Sequence, residues 1–438
     1  MTVLHAPAAG PPWPVGARRA WWTVSLLGLL YILSFVDRTI LALLVAPLKA
    51  QLHVSDVQLG LLFGPAFAIF YALLGLPIAR LADRGDRKRL VVAGVLLWGA
   101  ATVGSAFAGG FWVLVVLRMG LAIGEAALTP SAYSMIGDLF PPRRRAMAAG
   151  LYSALGMAGA SGAYILGAFV IQMVKQSAPA GGAADPGLWR MVFIIVGAPS
   201  LLMGLVVALT TREPVRMGGP ATPSLGELFA YLRANLRLYA GLFIGAGLTQ
   251  AVGYAYVAWG PEFMRRHFHW SIPHAGYVAG LIGLGVGFGG TLAAPVLSRL
   301  LERRGRADGT VLVCIGGLIV GGLCAAAAPL QASVWGFLAL NAVASFCLVG
   351  VANNVVISMQ AVAPARMRAT LVAGLLMCIT LLGLGLGPAA VALISARLSP
   401  AGDALGPGLA IVAAAMTPPA LLLLLWARPK FVGLRVIG

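Results

Sequence analysis

The sequence predicts an all-α integral membrane fold, with twelve transmembrane helices in two pseudo-symmetric six-helix bundles. Three observations predict it. Of 438 residues, 60% are hydrophobic and only 10% charged, with a mean hydropathy of +0.92, whereas a soluble domain carries roughly 25% charged residues. The chain divides into twelve largely uncharged runs close to the about 20 residues a helix needs to cross the hydrocarbon core. These runs are continuously apolar and rich in Leu, Ala and Gly, without the two-residue alternation in ~10-residue units of outer-membrane strands. A water-soluble fold is excluded, and helices are favoured over a barrel.

Residues 1–21 form a tail rich in Pro, Gly and Ala that ends on Arg18 and Arg19. No small-residue cleavage site follows a short apolar core, so the first helix is expected to stay in the membrane. The N-terminal bundle, 22–210, holds six spans. Span one, 22–48, carries Asp37 and Arg38; span two, 58–80, runs into a basic turn, and span three, 89–109, leaves it. Span four, 112–138, starts at Trp112, ends at Asp138 and carries Arg118 and Glu125. Span five, 146–172, follows Pro141-Pro142-Arg143-Arg144-Arg145, and span six is 189–210.

The longest polar stretch, 211–237, separates the halves and reads as a cytoplasmic linker. In it Ser224-Leu225-Gly226-Glu227 matches a capping box, and Leu225, Leu228, Phe229, Leu232 and Leu236 recur at helical spacing. A short amphipathic helix on the membrane surface is expected. The C-terminal bundle, 238–427, holds spans at 238–263, 275–299, 310–328, 333–360, 369–396 and 407–427, followed by the tail 428–438. Glycines gather in span five (Gly156, Gly159, Gly162), span eight (Gly283 to Gly290) and span eleven (Gly383, Gly385, Gly387-Pro388). Close helix packing is their first reading and gating the second.

A formal charge of +18 raises nucleic acid as a partner, but position decides against it. With the N-terminus cytoplasmic, only Lys49, Lys175, Arg190, Arg265, Arg266 and Arg397 of the loop cations fall outside. That bias is the positive-inside rule, with both termini cytoplasmic and the chain in an inner (plasma) membrane. Cys314, Cys324, Cys347 and Cys378 lie in apolar spans without metal spacing, and the five histidines are scattered in the tail and outer loops. No metal, no cofactor and no catalytic motif are expected.

The halves echo each other: Pro141-Pro142-Arg143-Arg144-Arg145-Ala146 after span four is matched by Pro364-Ala365-Arg366-Met367-Arg368-Ala369 after span ten, and the Arg-rich turn after span two by Arg299 to Arg306. Duplicated bundles suit rocking about a central cavity, hence alternating access. The turn itself, Gly75-Leu76-Pro77-Ile78-Ala79-Arg80-Leu81-Ala82-Asp83-Arg84-Gly85-Asp86-Arg87-Lys88-Arg89, resembles the cytoplasmic motif of the major facilitator superfamily. Where many members read Asp-Arg-x-Gly-Arg-Arg, this chain has Gly85 one place early and an extra acid, Asp86. The resemblance implies a conformational latch of Asp83, Arg84, Arg87, Asp138, Arg145 and Arg368, with Asp83 taking hydrogen bonds from Arg87 near the start of span eleven. Lys88 and Arg89 read as solvated charges, worth at most ~1 kcal/mol per pair.

Ionisable groups at membrane depth cost at least ~2.5 kcal/mol each and need a partner or a wet cavity. At about 1.5 Å per residue, Asp37 and Arg38 lie roughly 23 Å in from Trp22, level with Arg118 on the antiparallel span four, and Glu125 lies near the middle. Adjacent residues project about 100° apart, so one of Asp37 and Arg38 is expected at the cavity and the other on Arg118 or Glu125. Phe35-Val36-Asp37-Arg38 together with Arg118-Met119-Gly120-Leu121-Ala122-Ile123-Gly124-Glu125-Ala126, Pro130, Ser131 and Met135-Ile136-Gly137-Asp138 resembles the Spinster-like branch, which includes lysolipid and sphingolipid transporters. The resemblance implies a role for Asp37, Arg38 and Glu125 in proton-linked change, with Glu125 ionised beside an arginine and picking up a proton when it withdraws. A static buried network is the alternative.

Candidate substrate contacts are Tyr133, Tyr152, Tyr164, Gln250, Tyr254, Tyr256, Asn353 and Asn354, each equally readable as an interhelical hydrogen bond. The expected function is therefore secondary transport of a small organic or amphipathic, lipid-like or drug-like solute, proton-linked, by a monomer. The second reading is uptake of an organic anion, with Arg38 and Arg118 holding its carboxylate.

Overall fold

The computed structural model describes residues 16–177, 187–217, 224–364, 366–399 and 404–437. Among them, twelve helices are long and apolar enough to cross a membrane. The first six are α1 (Ala17–Leu43), α2 (Asp56–Arg84), α3 (Arg87–Ser105), α4 (Phe111–Leu139), α5 (Pro142–Ser177) and α6 (Leu188–Thr210). The second six are α7 (Leu236–Phe268), α8 (Ile272–Arg303), α9 (Gly309–Leu330), α10 (Val334–Val362), α11 (Thr370–Leu398) and α12 (Leu405–Arg435). An even number of crossings returns the chain to its starting face, called the termini face below; the other is the far face.

Prolines account for two breaks in the first bundle, because a proline lacks the N–H that bonds four residues back. Span one, expected to 48, ends at Leu43, since Pro47 cannot donate to that carbonyl; a separate short helix, Val45–Leu52, follows and buries Val45 and Leu48. In α4, Pro130 likewise frees the carbonyl of Ala126, and the helix is interrupted at Ala127, two residues after Glu125. Helix starts are capped as propensity dictates. Ser55 and Gln58 form a full capping box on α2. The Asp86 carboxylate accepts from the Arg89 amide at 2.8 Å to cap α3, and the Ser271 hydroxyl accepts from the His274 amide on α8.

The linker helix is present at Leu225–Ala234, with Ser224 accepting from the Glu227 amide at 3.2 Å. Only half of the expected capping box forms. The Glu227 carboxylate reaches the Arg366 guanidinium at 3.5 Å instead, tying the linker to the second bundle.

Burial is distributed unevenly along the membrane normal. Toward the termini face the apolar core divides, one part around Trp98, Phe140 and Tyr152 of the first bundle, touched by Leu384 and Tyr254 of the second, the other around Tyr239, Met359 and Phe431. Toward the far face a single core runs through both, from Leu43 and Trp189 to Trp259 and Ala392. Glycines report the same geometry. On α2, a Cβ at Gly60 would lie 2.6 Å from the Ala392 methyl, and one at Gly64 would lie 2.7 Å from the Leu384 carbonyl of α11. Gly75, eleven residues on and so on the same helical face, has nothing within 4 Å. On α5, Ser161 and Ile165 press on Gly283 and Gly280 of α8, while Gly150, again eleven residues along, faces open space. The two bundles touch at the far face and splay apart toward the termini face.

Candidate functional site

Bordered by Tyr164, Ala258, Met264 and Phe337 of the shared core, a cavity of ≈ 390 Å³ lies between the bundles. Both halves line it, the first with Phe35, Arg38 and Tyr164, the second with Gln250, Tyr254 and Asn353. Among the described residues, Arg38 is the only charged side chain on its wall.

Arg38 is held from three sides. Its Nη2 donates to the Glu125 carboxylate. Its guanidinium carbon sits 4.3 Å from the Phe67 ring centroid, 5.4 Å from that of Phe35 and 5.6 Å from that of Tyr71, so the charge is stabilised by π faces where water is scarce. Glu125 is buried behind it. Arg118 is also buried and donates to the Arg38 carbonyl at 3.5 Å; it does not line the cavity. Asp37 projects the other way, into the bundle, and accepts from the Ser200 hydroxyl of α6 at 2.7 Å. One arginine thus both faces the cavity and pairs with Glu125, while Asp37 meets neither arginine. Ser200 gave no sequence signal, being one hydroxyl in an apolar span.

The network is incompletely satisfied. Glu125 Oε1, Asp37 Oδ1, Arg38 Nε and Arg118 Nη2 are buried without a hydrogen-bond partner among the described residues, whereas buried polar atoms are nearly always paired.

The eight candidate contacts divide. Tyr164, Gln250, Tyr254, Tyr256 and Asn353 line the cavity. Asn354 does not; it is fully buried, its amide donating to Ser298 Oγ at 3.0 Å and to the Thr310 carbonyl at 2.7 Å, and it ties α10 to α8 and α9. Tyr152 is equally buried, stacked on Tyr31 with centroids 4.9 Å apart. Tyr133 is exposed, hydrogen-bonded to Ser153 Oγ at 2.8 Å and off the cavity wall. Cavity residues that sequence reasoning passed over include Phe63, Ser161, Thr291 and Phe337; the tight Gly280 and Gly283 contacts on α5 are the feature that marks Ser161.

At the termini face the arginine cluster is arranged differently from the sequence expectation. Arg87 does not meet Asp83. It pairs with Asp138 of α4, donates from Nε to Glu213 Oε1 at 2.6 Å, and reaches Ser134 Oγ at 3.0 Å and the Pro214 carbonyl at 2.9 Å. The early Gly85 explains the shift: with Asp86 serving as the cap, Arg87 becomes the first residue of α3 and points at α4. Asp83 and Arg84 are exposed, and the Asp83 carbonyl, with those of Ala82 and Gly85, is covered by Arg216. Arg145 donates to the Phe140 carbonyl and Arg368 to the Ala363 carbonyl. The Arg87 pairs therefore join α3, α4 and the linker, not the two bundles.

Arg87 is buried beneath two carboxylates, so its loss leaves them without their cation. Arg87→Ala is expected to destabilise the first bundle by about 3 kcal/mol. Thermal unfolding of the purified protein in detergent checks this, and Arg87→Lys should restore only part because it lacks the two-pronged fork. An unchanged midpoint would show the cluster to be mere surface charge.

Comparison with known proteins fits this geometry. The Major Facilitator Superfamily model matches residues 27–292. An MFS-type efflux pump of Mycolicibacterium smegmatis is 33% identical over 298 residues, 67% of this chain and 65% of the pump. Protein spinster homolog 3 of Danio rerio is 29% identical over 262 residues, 58% of this chain and 49% of that protein. The chain thus aligns with only about half to two thirds of these relatives' length. A crystal structure of a bacterial homolog of the human lysosomal transporter Spinster, inward-facing and unoccupied, superposes with a TM-score of 0.78 at 27% identity, covering 96% of this chain and 98% of that one. These relatives are transporters, not enzymes. The chain belongs to the major facilitator superfamily and resembles its Spinster-like branch.

Proposed function

We propose that this chain is a secondary transporter that moves an amphipathic organic solute across an inner membrane by alternating access, linked to protons through Glu125. The observation that carries the reading is Arg38. Among the described residues it is the single charge on a wall where apolar groups such as Phe35, Phe63, Met157, Phe288 and Leu348 are interspersed with uncharged polar ones such as Gln250, Asn341 and Asn353, and it reaches from that wall to a buried carboxylate. A solute with a large apolar body and one polar end matches such a wall. A change of state that draws Arg38 away takes from buried Glu125 the cation it is paired with, and the neutral acid becomes easier to form. That exchange links solute space to a proton.

The splayed termini face, the positive-inside bias and the likeness to an inward-facing structure support reading this state as open to the cytoplasm. The organic-anion reading needs two arginines on the ligand, but Arg118 sits behind the wall with its guanidinium on the Arg38 carbonyl. The test is reconstitution into vesicles with an imposed pH gradient, screening lysolipids against small hydrophilic organic anions. Gradient-dependent movement of the amphiphiles is expected. Movement of the hydrophilic anions alone overturns the solute class, and transport indifferent to the gradient overturns the proton link.

A further inference from the structure

We infer that Asp56 and Arg266 form a releasable lock on the far face, with Lys49 and Glu262 as stand-by partners that keep each half of the lock neutralised when it opens. The lock crosses the bundles. Arg266, near the C-terminal end of α7, grips Asp56, the first residue of α2, with two hydrogen bonds: Nη1 to Oδ2 at 2.8 Å and Nη2 to Oδ1 at 2.9 Å. The side chains are only 17% and 12% exposed, so the pair is better shielded than an ordinary surface pair.

Each partner also has a second counterion from its own side. Asp56 Oδ1 accepts from Lys49 Nζ at 2.7 Å, and Lys49 lies on the short helix that follows α1 in the same bundle. Arg266 Nε donates to Glu262 Oε1 at 2.6 Å, one turn back on its own helix. Glu262 is fully buried and also takes two hydrogen bonds from Arg265. Separation of the bundles thus breaks the Asp56–Arg266 bonds but leaves the carboxylate with Lys49 and the guanidinium with Glu262.

This arrangement lowers the cost of opening. A shielded ion pair with no alternative partner strands two charges when broken, the reason removal of one partner is so destabilising. Here neither charge is stranded. Only contacts that differ between states bias an equilibrium, and this pair, unlike the Arg87 cluster, joins the bundles. It adds to two other links across the far half, the Tyr164 hydroxyl donating to the Val257 carbonyl and the Tyr277 hydroxyl to Gln172 Oε1 at 2.9 Å.

The roles give the two acceptor-side changes opposite signs, which a purely structural cluster does not. Asp56→Asn removes the lock and favours far-face opening. Lys49→Met leaves the lock but removes the stand-by cation, so opening becomes less favourable. The readout is labelling of Ala279→Cys on the cavity wall by a membrane-impermeant maleimide applied to the far face of oriented vesicles, after replacing Cys314, Cys324, Cys347 and Cys378. Asp56→Asn is expected to raise the labelling rate roughly three- to tenfold, and Arg266→Gln reads the same bond from the other bundle should Asp56→Asn fail to fold. Lys49→Met is expected to lower the rate by roughly threefold, and to have no effect once Asp56→Asn is present. A rate unmoved by breaking the lock, or raised by Lys49→Met, overturns the inference. The proposal rests on alternating access, but the labelling needs no solute, so it fails or stands apart from the choice of substrate.

Discussion

Glu125→Gln is expected to abolish the response of transport to an imposed pH gradient while leaving solute binding nearly intact. The amide keeps the shape of the side chain and an oxygen that accepts from Arg38, so the guanidinium can stay on the cavity wall among Phe35, Phe67 and Tyr71. What it removes is the only carboxylate in ion-pair contact with Arg38 among the described residues, and with it the group that changes charge. Gradient-driven uptake should fall by roughly tenfold or more, while equilibrium binding changes by less than about threefold, that is, by under 1 kcal/mol.

Two parallel measurements separate the possible causes: uptake in vesicles with and without the gradient, and binding of the same solute to detergent-solubilised protein. Equal loss of binding and transport would mean that Glu125 only holds Arg38 in place, the static-network alternative. Arg118→Ala should weaken binding little, because its guanidinium rests on the Arg38 carbonyl behind the wall. If that change removes binding, the organic-anion reading replaces the proton-linked one.

The fold was legible because transmembrane helices announce themselves through length and apolarity alone. Span boundaries slipped where chemistry outside the hydropathy scale intervened. Pro47 cut α1 short, and Pro142–Ser177 overran the expected 146–172 at both ends because polar and charged residues, Arg143 to Arg145 at the start and Lys175 to Ser177 at the end, continue the helix past the apolar run. The charges at membrane depth were legible one by one more than in their pairings. Burying Asp37, Arg38, Arg118 and Glu125 is costly enough to mark them, but which carboxylate meets which arginine depends on helix rotation. That angle brought Arg38 to Glu125 and turned Asp37 toward Ser200. Arg87 illustrates the same limit: its partner Glu213 lies in the linker, where a lone acid in the basic segment Thr211 to Met217 was the available signal. The far-face lock escaped notice because Asp56 and Arg266 are 210 positions apart, and each alone reads as an ordinary loop charge.

Valine at Gly64 is expected to have the other large effect, by wedging the far face. A Cβ there would lie 2.7 Å from the Leu384 carbonyl and 2.9 Å from that of Gly385. Both are backbone atoms in or beside the π-helical turn Ile379–Leu384 of α11, so no side-chain rotation relieves the clash. Overpacking of this kind costs about 1–3 kcal/mol, enough to shift a two-state equilibrium by roughly 5- to 150-fold. The displaced population should be the state closed at the termini face. Gly75→Val, on the same face of α2 but where nothing lies within 4 Å, is tolerated in the present state and obstructs closure of the termini face, so it should act in the opposite direction. Spin labels on exposed Arg84 and Arg366, in the background lacking native cysteines, read the two populations as a distance across the termini face. Gly64→Val should enrich the shorter distance and Gly75→Val the longer. A shift of the same sign in both would mean that the bundles do not pivot about the contacts between α2 and α11, and the rocking geometry drawn from the glycines would have to be abandoned.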